Sequence, residues 1–172
     1  MTNKYYFSKI VIKDFILGFS LFLLTEILIF VALFWAWTYS AINPSIWVGS
    51  VWPPVGIQAP NPTALPLYST YILFTSSCSL MWFELALQLR SRQAEVLLAL
   101  TLTLSNGLFF LVIQTLEFIR LPFTFTDSIY GNLFFSITGL HFLHIIVGLF
   151  LLTLVCYRLC FNGVSFYSTF TK

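Results

Sequence analysis

The chain has 172 residues, 59% of them hydrophobic and only 8% charged, with a net charge of +2. Soluble domains carry about 25% charged residues, so this chain cannot present a water-facing surface and belongs in a membrane. Its small net charge offers nucleic acid no basic footprint. The sequence holds no Gly-rich phosphate loop, no Ser/His/Asp set and no HExxH pattern.

Residues 1–13 place Lys4, Lys9 and Lys13 among apolar residues, which reads as an interfacial lead-in. The segment has no apolar core followed by a small-residue cleavage site, so no removable signal peptide is expected. A first helix is predicted over residues 14–39. Within it, the stretch from Phe15 to Trp37 has Glu26 as its only ionisable group. As a helix that stretch reaches about 35 Å, enough to cross a bilayer. Phe15, Phe19, Phe22, Glu26, Phe30, Leu33 and Trp37 share one face. Gly18, Thr25, Ala32 and Ala36 form a neighbouring small-residue stripe that would let another helix approach closely. A charge near mid-bilayer costs roughly 2.5–3.5 kcal/mol or more. Glu26 therefore reads as a neutral or partnered carboxyl, with proton relay, lipid head-group contact and structural hydrogen bonding as open roles.

Residues 41–66 hold six of the seven prolines, Gly49, Gly56 and no charge. Prolines break helices, and Trp47 and Trp52 suit a membrane interface, so an ordered loop on the membrane face is expected. A second helix, 67–89, carries Thr70, Ser77, Glu84 and Gln88 along one side. A short link holds Arg90, Arg92 and Glu95. In a third helix, 96–119, Thr103, Gly107, Phe110, Gln114 and Glu117 share a side. Glu84 and Glu117 sit near helix ends, where snorkelling to the interface is cheap. A loop with Pro122 and Asp127 leads to a fourth helix, 133–157, with His141, His144 and Gly148 on or near one face.

Two histidines three residues apart need further ligands to hold zinc or copper, and the chain has no third His for a haem bridged between helices. They read as buried, hydrogen-bonded side chains, and no metal or haem centre is expected in this chain. Cys78, Cys156 and Cys160 lie in or beside apolar segments. Their odd number and the lack of a CxxC pair point to packing rather than disulfides. Seven of the eight Lys and Arg residues fall in the N-terminal segment, the helix two–three link and the tail, with Arg120 alone on the other side. The positive-inside rule then puts both termini on the cytoplasmic or matrix side. The expected fold is an all-α membrane protein, residues 1–172 forming a single transmembrane domain of four bundled helices. The tail is too short and polar to cross again.

Several motifs follow one another in a fixed order. TEILIFVALFWAW is followed by WPPxGI (Trp52, Pro53, Pro54, Gly56, Ile57) and NPxxxPL (Asn61, Pro62, Pro66, Leu67). LPFTFTDSIYG (Pro122, Phe123, Thr124, Asp127, Tyr130, Gly131) and TGLHFLHIIVG (Thr138, Gly139, His141, His144, Gly148) come next. The ordered set resembles subunit III of cytochrome c oxidase, the mitochondrial type in particular, from Lys13 to Arg158.

The resemblance implies a subunit of the mitochondrial inner membrane, or of a bacterial plasma membrane, that binds no haem or copper itself. It implies packing against catalytic subunit I, where haem and copper reside, contact with other oxidase subunits, and bound phospholipid. Glu26 matches the family's intramembrane glutamate, and Arg158 a basic residue that meets lipid head groups. His141, His144 and Asp127 match pattern positions of unassigned role. The match covers the family's third to sixth helices, so a shortened or split version is expected, with separate chains supplying the remaining helices. Phe83 and Glu84 stand where the family often has a His pair, and Ile119-Arg120-Leu121 replaces its acid before the PFT motif. A quinol-oxidase subunit III and a small proton channel or transporter built on Glu26, Glu84 and Glu117 are the alternatives. A transporter would show broken helices or repeats, and neither is present in the sequence.

Overall fold

The structure, a computed structural model, describes residues 9–162. It contains four long helices, α1 (Lys9–Ile42), α2 (Leu65–Gln88), α3 (Gln93–Arg120) and α4 (Ile129–Asn162), and a 3-10 turn at Ile46–Val48. No strand occurs among the described residues. All four helices are long and apolar enough to cross a membrane, so the all-α, four-span reading holds.

Helix limits differ from the pattern-based ones where local chemistry was misread. The segment Lys9–Lys13, read as an interfacial lead-in, is already helical. Nothing in it breaks a helix, and Asp14 does not act as the start. At the other end of the chain, Ser128 caps α4. Its Oγ accepts hydrogen bonds from the backbone N–H groups of Tyr130 at 3.1 Å and Gly131 at 3.3 Å. A serine hydroxyl serving the second and third helical N–H groups is a strong start signal, and it lies inside the DSIYG motif that reads as loop.

Before α2, Asn61 Oδ1 accepts from the backbone N–H and the hydroxyl of Thr63, closing an Asx turn. Pro66 follows in the first turn, where its missing N–H costs nothing. The α2–α3 connection is a Schellman turn: Ser91 N–H donates to Ala86 O and Arg90 N–H to Leu87 O. Arg90 takes the left-handed conformation there, with φ +52°.

The chain divides into two compact units. One comprises the segment up to Val55 with Phe125–Ile137; the other comprises Gly56–Thr124 with the chain from Thr138 onward. In the first, Trp37 from α1, Trp52 from the loop and Tyr130 from α4 form an aromatic triangle with ring centroids 5.0–5.3 Å apart. Trp37 and Trp52 meet edge to face, the geometry that aromatic quadrupoles favour. Trp47 is fully exposed, as an interfacial anchor would be. On α1, Glu26, Phe30, Leu33, Trp37 and Ser40 are half-buried, whereas Gly18, Thr25 and Ala32 of the small-residue stripe are exposed. Phe15, Phe19 and Phe22 of the aromatic face are exposed too, and Ala36 of the small-residue stripe is half-buried, so the covered part of α1 is its second half, mainly along the aromatic face.

In the second unit α2 packs against α3. Phe83, Ala86, Val96, Ala99, Leu100 and Leu159 form one apolar cluster, and Ile72, Phe110 and Ile113 another. The buried side of α3 includes Thr103, Gly107, Phe110 and Glu117, four of the five residues the helical spacing groups together. Gln93 Nε2 donates to Leu159 O at 3.1 Å, tying the start of α3 to the end of α4. Gly107 permits a close approach here, since a Cβ at that position would collide with the Leu149 side chain of α4.

Candidate functional site

The polar stripe foreseen on α2 is not the packed side of that helix. Thr70, Ser77, Glu84 and Gln88 are all exposed, while Ser69, Ile72, Phe83 and Ala86 are buried. The polar groups that do cross between helices are Ser76, Ser79 and Thr103. Ser79 Oγ and Thr103 Oγ1 lie 2.9 Å apart, and Ser76 Oγ donates to Thr103 O at 3.4 Å. Each of Ser79 and Thr103 also reaches a carbonyl of its own helix. Short hydroxyl residues suit this seam because they satisfy one another without holding the backbones apart. The run Ser76–Ser79 in the sequence was the available signal. Picking out the inward members needed the helix pairing.

The singled-out ionisable residues do not gather into one centre. Glu26 is half-buried midway along α1, and Asp127 is exposed in the loop before α4. Arg158 is exposed near the end of α4. Glu84 is exposed and accepts a 3.5 Å hydrogen bond from Gln88 Nε2 one turn on. His141 and His144 are exposed rather than buried. His141 sets its ring edge-on to Phe110 with centroids 6.4 Å apart. His144 Nδ1 donates to Leu140 O at 2.7 Å; a carbonyl can only accept, so the proton is on Nδ1. Among the described residues, no three His, Cys, Asp or Glu side chains converge on a point where a metal could sit.

Glu117 does not snorkel. It is 8% exposed and lines a cavity of about 260 Å³ together with Gln58, Asn61, Pro66, Arg120 and Pro122. The cavity forms because the Asx turn at Asn61 brings the Pro-rich segment back over the last turn of α3. Phe110, the partner of His141, is about 10 Å of helix away from Glu117, so the histidines and this carboxyl belong to different places.

Four apolar spans, carboxyls scattered along the chain and a hydroxyl seam between α2 and α3 define a multi-pass helical membrane protein. Comparison with known sequences makes the assignment specific. Residues 2–168 match the sequence profile of the family described as cytochrome c oxidase subunit III, and this chain belongs to that family. It is 42% identical over 143 residues to the cytochrome c oxidase subunit 3 of Yarrowia lipolytica, an alignment covering 83% of this chain and 53% of the relative. The Candida glabrata protein of the same name is 44% identical over 141 residues, covering 82% and 52%. That of Ornithorhynchus anatinus is 37% identical over 165 residues, covering 95% and 63%. The chain thus spans about half the length of the curated relatives it matches.

Proposed function

We propose that this chain serves as the non-catalytic subunit III of a mitochondrial cytochrome c oxidase. In this reading it packs against subunit I, whose haem and copper carry electrons from cytochrome c to oxygen, and supports the coupled proton pumping. It lies in the inner membrane with both ends on the matrix side and holds phospholipid along its spans. The observation that carries the reading is the family match over residues 2–168. The large apolar side chains exposed around α1 support it, since they suit contact with lipid and with neighbouring subunits. The charge asymmetry of the loops supports the orientation.

Glu26, Arg158, His141 and His144 are the residues through which the chain would act on lipid or protons, with Glu84, Glu117 and Asp127 behind them. Haem and copper, held in subunit I, would supply the redox chemistry. The residues here would hold neighbours and lipid in place or assist proton uptake, and would take no part in the redox chemistry. The reading is tested by capturing the tagged chain from a mild-detergent membrane extract. Capture should withdraw cytochrome c oxidation from the extract together with the chain. If that activity stays wholly in the unbound fraction, the chain is not a subunit of the oxidase.

A further inference from the structure

Two of the three cysteines are more than isolated packing residues. Cys156 and Cys160 stand one turn apart near the end of α4, and their thiols hydrogen-bond to each other. Cys156 is half-buried against the apolar cluster that Leu159 also enters, whereas Cys160 is exposed. A water-borne reagent reaches a thiol only outside the hydrocarbon. α4 has 34 residues, about 51 Å of helix against about 30 Å of hydrocarbon. Gln93, the first residue of α3, donates to Leu159 O, which sets this turn level with the link that carries Arg90 and Arg92. Arg158 lies in the same turn and is exposed. Cys160 therefore sits at the membrane boundary or beyond it, within reach of solutes.

The helix brings the pair close to a bond without making one. Four residues of helix separate the two Cα atoms by about 6 Å, inside the range that disulfides span. The Cβ atoms at that spacing stand about 5–6 Å apart, and a disulfide needs about 3.5–4.5 Å. Closing it requires the last turn of α4 to tighten by about 1–2 Å. Leu159 resists that movement. Its side chain is fully buried. Its carbonyl is among the last four of α4, which have no partner within the helix, and it takes the Gln93 hydrogen bond at 3.1 Å. Closure would pull on both anchors.

We propose that Cys156 and Cys160 form a reversible redox site: a dithiol that exchanges with a small-molecule disulfide and, once closed, loosens the tie between Leu159 and Gln93. The Cys160 thiolate attacks one sulfur of the incoming disulfide and expels the other as a thiolate. Cys156 then gives its proton to solvent and attacks the Cys160 sulfur, expelling the second small thiolate. Two electrons pass from the cysteine pair to the reagent. The two protons the cysteines lose end on the two small thiols that leave. Exposure fixes the order of attack, because the reagent meets Cys160 and reaches the half-buried Cys156 only through it. A strained bond of this kind is readily reduced again, as regulatory disulfides are. The inference needs only that α4 crosses a bilayer and does not rest on the oxidase reading.

The test equilibrates the full chain, in whatever assembly it purifies with, in glutathione buffers of graded disulfide-to-thiol ratio. Acid quenching, alkylation and peptide mass spectrometry then read the state of each cysteine. The wild-type peptide bearing both should lose two hydrogens in oxidising buffer and regain them in reducing buffer. Cys156→Ser should instead accumulate a mixed disulfide between Cys160 and glutathione. Gln93→Leu removes a bond that opposes closure, so by reciprocity it should raise the ratio of closed to open pair about fivefold in the same buffer. Both thiols free in the wild-type chain at every buffer ratio would overturn the proposal, as would a mixed disulfide on Cys160 that never resolves. An unchanged ratio in Gln93→Leu would overturn the coupling to α3. The wild-type measurement decides the site by itself if a variant fails to fold.

Discussion

At the scale of single residues, the α2–α3 contact sets a bonded hydroxyl beside an unbonded one. Thr103 is 3% exposed and meets Ser79 across the helices, whereas Ser69 Oγ is buried without a hydrogen-bond partner among the described residues. Thr103→Val keeps the shape and removes the shared bond. It should destabilise the folded chain by about 0.6–1.7 kcal/mol, the range for interhelical bonds in membranes, as read from reversible unfolding in mixed micelles. In the same assay Ser69→Ala should be neutral or stabilising by up to about 1 kcal/mol, because it deletes a desolvated group that gains nothing in return. Neither serine could be ranked from the sequence. Helical spacing places Ser76, Ser77 and Ser79 around one turn, but only the partner helix decides which faces inward. Glu117 shows the same limit in another form: its position near a helix end read as snorkelling, and the loop folding back over it buries most of the side chain at the wall of a cavity instead.

At the scale of elements, the four helices were legible because each is a long apolar run between charges or prolines. The side of α3 that packs was legible too, since Thr103, Gly107, Phe110 and Glu117 recur at helical spacing. The packed side of α2 was not. Its polar residues draw attention, yet in a membrane the surface facing outward is as apolar as the interior, so hydrophobic periodicity cannot say which side is inside. Gly107 is the element-scale residue whose size decides a contact. Gly107→Ala should push α3 from α4 and cost about 1–3 kcal/mol. Pairing it with Leu149→Ala should recover most of that loss, because the colliding atoms are those of Leu149. A double-mutant cycle in the same micelles checks the coupling; additive losses would mean that the two residues do not meet.

At the scale of the whole molecule, the family and the membrane class were legible from the ordered motifs, each of which has a structural job. WPPxGI places Trp52 in the aromatic triangle, NPxxxPL closes the Asx turn before α2, and DSIYG supplies the cap of α4 and the third ring of the triangle. What the motifs do not carry is the role of Glu26, because a half-buried carboxyl midway along a span serves packing, lipid or protons equally well in a sequence. Glu26→Gln preserves the shape of a neutral carboxyl, and the variant chain should still enter its complex at wild-type yield. A variant absent from the complex would make Glu26 an assembly residue.

If the chain is a non-catalytic member of a haem–copper assembly, as proposed, haem and copper follow it at a fixed ratio without being held by it. The tagged chain is purified from its own membranes in mild detergent, and its haem and copper are measured. Both should be present in constant proportion and should remain with the other polypeptides when a harsher detergent strips this chain away. Purification free of haem and copper, or haem that stays with the stripped chain, would contradict it.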